Sequence, residues 1–171
     1  MRGKREHLPV IGMGPLIVGV MITLTAAGIA AVSVGLLAGG AVHALEAPFR
    51  IAGIALIAAG IGLWFWGVVP SRIDERIKRN ELATDGAFAV VRNPIYSAFF
   101  IACTGATLIA CNGWLLLIPF VLWVWMTVML KLTEERWLLG LHGQLYADYC
   151  LRVNRCIPWF AKGRRENEGS A

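Results

Sequence analysis

Arg92-Asn93-Pro94-Ile95-Tyr96, then 34 residues (97–130) without one Asp, Glu, Lys, Arg or His, then Lys131 and the paired acids Glu134-Glu135: this stretch decides the fold. As a single helix those 34 residues would reach roughly 50 Å at ~1.5 Å per residue, too long for one crossing of a ~30 Å hydrocarbon core. Asn112-Gly113 stands near the middle, where a turn forms readily. The chain therefore reads as entering a membrane, turning and returning. A hairpin of that kind sets the Arg92 cluster and the Glu134-Glu135 cluster side by side on one membrane face, where they make one polar site.

The rest of the chain agrees. At 171 residues it suits one domain, and 57% hydrophobic residues with a mean hydropathy of +0.64 exceed what a soluble fold carries. Residues 10–42 form 33 positions without a charge and 51–69 another 19. Apolar spans recur to residue 130, so the first is not read as a cleaved leader. The net charge of +5 is informative by location. Four crossings with both termini inside put fifteen of sixteen basic residues on the cytoplasmic side, all except Arg50, as the positive-inside rule asks. Topology thus accounts for the basic balance, and no nucleic-acid partner is expected. The expected location is a multi-pass protein of a prokaryotic inner membrane. Cys103, Cys111, Cys150 and Cys156 lack metal-ligand spacing. They are read as small buried hydrophobes and not as disulfides. His7, His43 and His142 are scattered, so no metal site is expected.

Along the chain, Pro15 marks the start of the first helix proper. Gly28, Gly35 and Gly39 are expected on one face, with Gly35-x-x-x-Gly39 open to close helix approach. That face admits a homodimer, with packing inside the monomer preferred. The second span ends in Trp64-Phe65-Trp66, and residues 71–82 suit a short surface helix. The third starts near Pro94 with Asn93 as N-cap, and Pro119 is expected to kink the fourth. That helix reads as continuing past the interface, with Leu138, Leu141, Leu145 and Tyr149 on one stripe. The fold class is all-α: a polytopic membrane helical bundle of about four transmembrane helices with a cytoplasmic C-terminal amphipathic helix. One domain covers 1–160, with 80–160 as its cofactor-binding core, and 161–171 read as a disordered tail.

Two readings stand for each candidate residue. Arg92 before an apolar helix is an interfacial anchor, the reading position alone favours, or a carboxylate-binding group beside a helix N-terminus. Glu134 and Glu135 point about 100° apart on a helix, so one can face inward while the other meets solvent. Tyr96, Tyr146 and Tyr149 are interface-belt residues by the commoner pattern, and Arg152 and Arg155 with Pro158 form a basic edge. No P-loop, nucleophile elbow or Rossmann fingerprint is present.

The stretch Asn80-Glu81-Leu82-Ala83-Thr84-Asp85-Gly86-Ala87-Phe88-Ala89-Val90-Val91-Arg92-Asn93-Pro94-Ile95-Tyr96 resembles the "G-x-[YF]-x-x-x-R-[HN]-P-x-Y" segment of the isoprenylcysteine carboxyl methyltransferases and related phospholipid methyltransferases. Thr133-Glu134-Glu135, Gly143-x-x-Tyr146-x-x-Tyr149 and Arg155-x-x-Pro158 resemble the same family's tail. The match covers about 80–160. It implies a membrane-embedded S-adenosylmethionine site without a Rossmann domain. Carried over, Asn80, Leu82, Ala83, Phe88, Asn93, Pro94, Ile95, Tyr96 and Glu134 contact the cofactor. Arg92 and Glu135 act in catalysis, Arg92 by ordering the site. Asn80 and Asn93 stand where the eukaryotic enzymes commonly have histidine, and Leu130 where they have a substrate-linked arginine. Lys131 is its nearest replacement and, with Arg155, the expected substrate contact.

The expected function is therefore methyl transfer from S-adenosylmethionine to an apolar or lipid-like acceptor bearing a carboxylate, thiol or amine, with membrane lipids as surroundings. Two rivals are carried: an NADPH-dependent membrane sterol or enone reductase, and a non-catalytic membrane subunit assembled through Gly35-x-x-x-Gly39.

Overall fold

The computed structural model describes residues 13–70, 76, 79 and 81–158. The basic N-terminal tail, most of the expected 71–82 surface helix, Asn80 and the 161–171 tail lie outside the described residues. Within them the fold is helical, apart from one isolated antiparallel bridge between Ala41 and Asn112. Six α-helices are described along their length, in order: α1 (Gly14–Ser33), α2 (Glu46–Val68), α3 (Pro94–Ile109), α4 (Leu117–Leu132), α5 (Glu134–His142) and α6 (Gln144–Arg152); Arg76 and Arg79, between α2 and α3, are also helical. Three segments, Gly14–Ser33, His43–Val68 and Gly113–His142, are long and apolar enough to cross a membrane, and α3 is a shorter apolar helix. Only 17–22% of their most apolar windows is buried inside the protein. Side chains such as Ile51, Leu117 and Phe120 point outward, which suits hydrocarbon as solvent.

α1 ends because of Gly35. Its φ of 81° is open to glycine at no steric cost. The Leu36 N–H reaches back to the Ala31 carbonyl and the Gly35 N–H to that of Val32, both at 3.0 Å. This pairing is a Schellman stop. The expected Gly35-x-x-x-Gly39 helix face is therefore not formed: both glycines lie beyond the helix, with open space where a Cβ would sit. Gly28 does pack closely, against Ile118 and Leu115 of the same chain.

The tight glycine packing lies elsewhere. Gly53, Gly60 and Gly67 recur every seven residues along α2 and face α3. A Cβ on Gly53 would stand 2.6 Å from the Gly105 carbonyl oxygen, and one on Gly60 would stand 2.7 Å from that of Ala98. The two backbones touch, as small residues permit in a membrane. α1, α3 and α4 share the main core of Ile17, Met21, Cys103, Leu122, Met126 and Leu130.

The hairpin forms as read, with a difference in its turn. The left-handed backbone falls on Cys111 (φ 48°) and not on Gly113. Asn112 holds the turn: its Nδ2 donates to the Leu37 carbonyl at 2.7 Å and its Oδ1 accepts from the Trp114 N–H at 3.0 Å. Pro119 is the third residue of α4. Its missing N–H would have had no α-helical partner there, and α4 follows directly on the 3-10 turn Gly113–Leu116. The long fourth helix is interrupted twice. Thr133 bonds its hydroxyl back to the Met129 carbonyl at 2.7 Å and leaves helical geometry at φ −120°, ψ −88°. Gly143, at φ 53°, separates α5 from α6. These breaks shift the stripe: Tyr146 and Tyr149 are buried, whereas Leu145 is exposed.

Candidate functional site

Pro94 opens α3 and keeps the preceding residue out of helical geometry, so Asn93 sits at φ −128°, ψ 66° and the chain turns there. Asn93 occupies the N-cap position as expected, but its side chain does not cap; its Nδ2 donates to the Arg155 carbonyl at 3.0 Å. Beside it, the Arg92 N–H donates to the Asn154 carbonyl at 2.8 Å. The tail after α6 is thereby laid across the start of α3.

The break at Thr133 has a second effect. Glu134 and Glu135 become the first two residues of α5 rather than late residues of α4, where the helix dipole favours negative charge. Both face inward. Glu134 accepts a hydrogen bond from the Tyr96 hydroxyl, joining the two ends of the hairpin. Glu135 is gripped from two sides: Arg155 pairs with it through Nε (2.5 Å) and Nη2 (2.9 Å), and Arg92 Nη1 stands 3.2 Å away. The Arg92 side chain is only 8% exposed, beyond what an interfacial anchor needs. Its Nη1 also donates to Cys150, while its Nε has no hydrogen-bond partner among the described residues. A buried guanidinium N–H without an acceptor is costly, and Arg92 Nε is such a group. The bracket carries two guanidinia against one carboxylate.

Behind the bracket, Tyr146, Tyr149 and Val153 form a small core with Leu82 and Leu138. The two tyrosines are core residues and not an interface belt. The Tyr149 hydroxyl donates to the Phe88 carbonyl at 2.6 Å, fixing the loop before α3. Burial pushes its phenol above the ordinary range. Arg155 is held above its usual value by the hydrogen bonds to Glu135. It is therefore no loose basic edge.

Of the residues expected at the site, Arg92, Asn93, Tyr96, Glu134, Glu135 and Arg155 are brought together by contacts. Ala83, Phe88 and Pro94 are buried around them, and Leu82 packs on the tyrosine core. Lys131 is exposed on the last turn of α4. Cys150 and Asn154 join the cluster without having been singled out. Cys150 could have been found from its position one residue after Tyr149 and four after Tyr146, on the buried side of α6. Asn154 contributes only its carbonyl, which leaves no trace in residue type. One turn further along α3, Ala98, Phe99 and Ala102 line an apolar cleft of ≈ 210 Å³ with Gly60, Ile61 and Trp64 of α2.

The phospholipid methyltransferase family model matches residues 48–145, from the start of α2 into α6. Over 85 residues the chain is 31% identical to protein-S-isoprenylcysteine O-methyltransferase B of Arabidopsis thaliana, covering 49% of this chain and 43% of that protein. Over 105 residues it is 35% identical to the protein-S-isoprenylcysteine O-methyltransferase of Schizosaccharomyces pombe, covering 61% and 42%. The chain thus spans less than half the length of these curated relatives. No solved structure matches it.

Proposed function

The chain belongs to the phospholipid methyltransferase family, and from that premise we propose that it is an integral membrane methyltransferase that moves a methyl group from S-adenosylmethionine to an apolar or lipid-like acceptor. The observation that carries this reading is the joined polar cluster at the foot of the α3–α4 hairpin, with Tyr96 on Glu134 and Arg92 and Arg155 on Glu135.

The residues fit the donor. Its amino-acid end carries a carboxylate and an ammonium. The unpartnered Arg92 Nε suits the carboxylate. Glu134 accepts one hydrogen bond from Tyr96, and a carboxylate has capacity for several more, so it suits the ammonium. Glu135 is already neutralised by the arginines and acts by holding them. Leu82, Ala83, Phe88 and the Asn93-Pro94-Ile95-Tyr96 turn form the remaining wall, with aromatic faces suited to adenine and to a sulfonium. When bound, the donor supplies an electrophilic methyl group on sulfur. The chain's own residues bind, orient and exclude water, which in-line transfer needs more than it needs an acid or base.

The acceptor reading follows from the surroundings. The cleft between α2 and α3 is lined by apolar side chains and would serve as an entrance for an apolar chain from the bilayer. The relatives act, by name, on isoprenylcysteine. The same chemical kind, an apolar chain ending in a small nucleophile, is proposed here. Arg155 is the substrate-side cation, and the exposed Lys131 stands at the rim. Both termini and the site face the cytoplasm on the positive-inside argument.

The test is incubation of membranes containing the protein with S-adenosylmethionine labelled on its methyl group. Label is expected in the organic-soluble fraction, reduced at least about tenfold for Glu134→Gln. Equal labelling by wild type and variant, or none by either, would overturn the proposal.

A further inference from the structure

Asn93 gives up a local role that its type performs well. Asparagine is among the strongest N-cap residues, and it stands at the N-cap of α3, yet no N–H of the first turn receives its side chain. Its amide reaches instead to the carbonyl of Arg155, 62 residues along the chain. Departures of this kind, where a strong local preference is set aside for a distant contact, collect at functional sites.

The consequence runs through Arg155. Arg92 N–H and Asn93 Nδ2 hold two consecutive carbonyls, those of Asn154 and Arg155, at 2.8 and 3.0 Å. With its backbone pinned there, Arg155 covers both oxygens of Glu135 at 2.5 and 2.9 Å. Arg155 is thus the partner that holds Glu135 on the Nη1 side of Arg92, while the buried Nε is left without an acceptor among the described residues. Were Arg155 released, Glu135 would be the nearest carboxylate to that Nε and would close the fork on itself.

We infer that Asn93 is a positioning residue, a tether that suspends the 153–158 tail so that Arg155 occupies Glu135 and the Nε edge of Arg92 stays free for an anionic ligand group. The tether is independent of what binds; only its effect on affinity rests on the donor reading above. The requirement at residue 93 is a hydrogen-bond donor one atom beyond Cγ. Histidine meets it through Nδ1–H, aspartate has the same shape but presents an acceptor to a carbonyl, and alanine presents nothing.

The experiment uses the full chain in detergent as wild type, Asn93→His, Asn93→Asp and Asn93→Ala, with helix content checked by circular dichroism. Limited trypsin digestion, read by mass spectrometry, follows cleavage after Arg155. Its carbonyl is the tethered group and its guanidinium must leave Glu135 to enter the protease. Cleavage is expected to be at least about tenfold faster in the Asp and Ala variants, reflecting a larger open population, with the His variant at the wild-type rate. S-adenosylmethionine affinity, measured in parallel, is expected to fall about tenfold in the same two variants and to be retained by His. Wild-type cleavage rates in Asn93→Asp, or a His variant as labile as Ala, would overturn the tether. Failure of wild type to bind the donor would overturn the donor reading and leave the tether to the digestion result.

Discussion

The two ends of the α3–α4 hairpin both bury polar side chains, and they treat them differently. At the turn, Asn112 is 2% exposed and its amide is matched at both ends, to the Leu37 carbonyl and the Trp114 N–H. At the open end, the Arg92 side chain is 8% exposed, yet among the described residues its Nε has no partner and Glu134 holds a single side-chain hydrogen bond, from Tyr96. Buried polar groups in folded proteins are matched as a rule. The turn obeys that rule because its amide only holds the 34–45 loop to the hairpin. The open end departs from it, and the unmatched capacity is what a ligand can use. The difference separates structure from function more sharply than residue type does, since both ends are rich in hydrogen-bonding groups.

The comparison can be broken by substitution. The largest effect is expected for Glu135→Ala, which leaves two guanidinia facing each other. Removing one partner of a buried ion pair costs about 3–5 kcal/mol, to be seen in denaturant unfolding together with lost donor binding. Asn112→Ala should come next, costing about 1–3 kcal/mol through the orphaned Leu37 carbonyl, with donor affinity unchanged. That pairing of lost stability and intact binding is the mark of the structural end; a binding loss there would erase the contrast. Glu134→Gln is expected to reverse it, changing the unfolding midpoint little while weakening donor binding about tenfold, or roughly 1.4 kcal/mol.

The smallest effect concerns Asp85, whose exposed bidentate pair with Arg76 lies outside the site. The hydrogen bond from Arg76 holds the Asp85 carboxyl below its ordinary value. Its contribution is therefore present above the unfolded-state pKa and lost as pH falls through the folded one. Asp85→Asn should remove a slight acid-side slope from the stability profile without affecting binding.

Much of this contrast was legible in the residues. The charge-free run 97–130 required a turn, and Asn112 supplied it. Once the chain folds back, Arg92 and Glu134-Glu135 must meet. Glycine and proline were harder to read, because their meaning depends on where a helix begins or ends. Gly35 stops α1 through a positive φ and does not pack a helix face, and Pro119 falls in a first turn. The spacing of Gly53, Gly60 and Gly67 was not read from the sequence, because the contact surface on α3 that gives it meaning is set by tertiary packing. Tyr146 and Tyr149 carry a belt signature, and only the breaks at Thr133 and Gly143 turn them inward. The tail's grip on Arg92 and Asn93 passes through main-chain carbonyls, which residue type does not encode.

The central claim is that the open end of the hairpin is a donor site and the turn is not. Calorimetric titration of S-adenosylmethionine into the purified full chain, alongside Glu134→Gln and Asn112→Ala, tests it most directly. The account predicts saturable binding by wild type and Asn112→Ala with equal affinity, weakened about tenfold in Glu134→Gln. Folded wild type that does not bind, or a Glu134→Gln variant that binds as tightly as wild type, would contradict it.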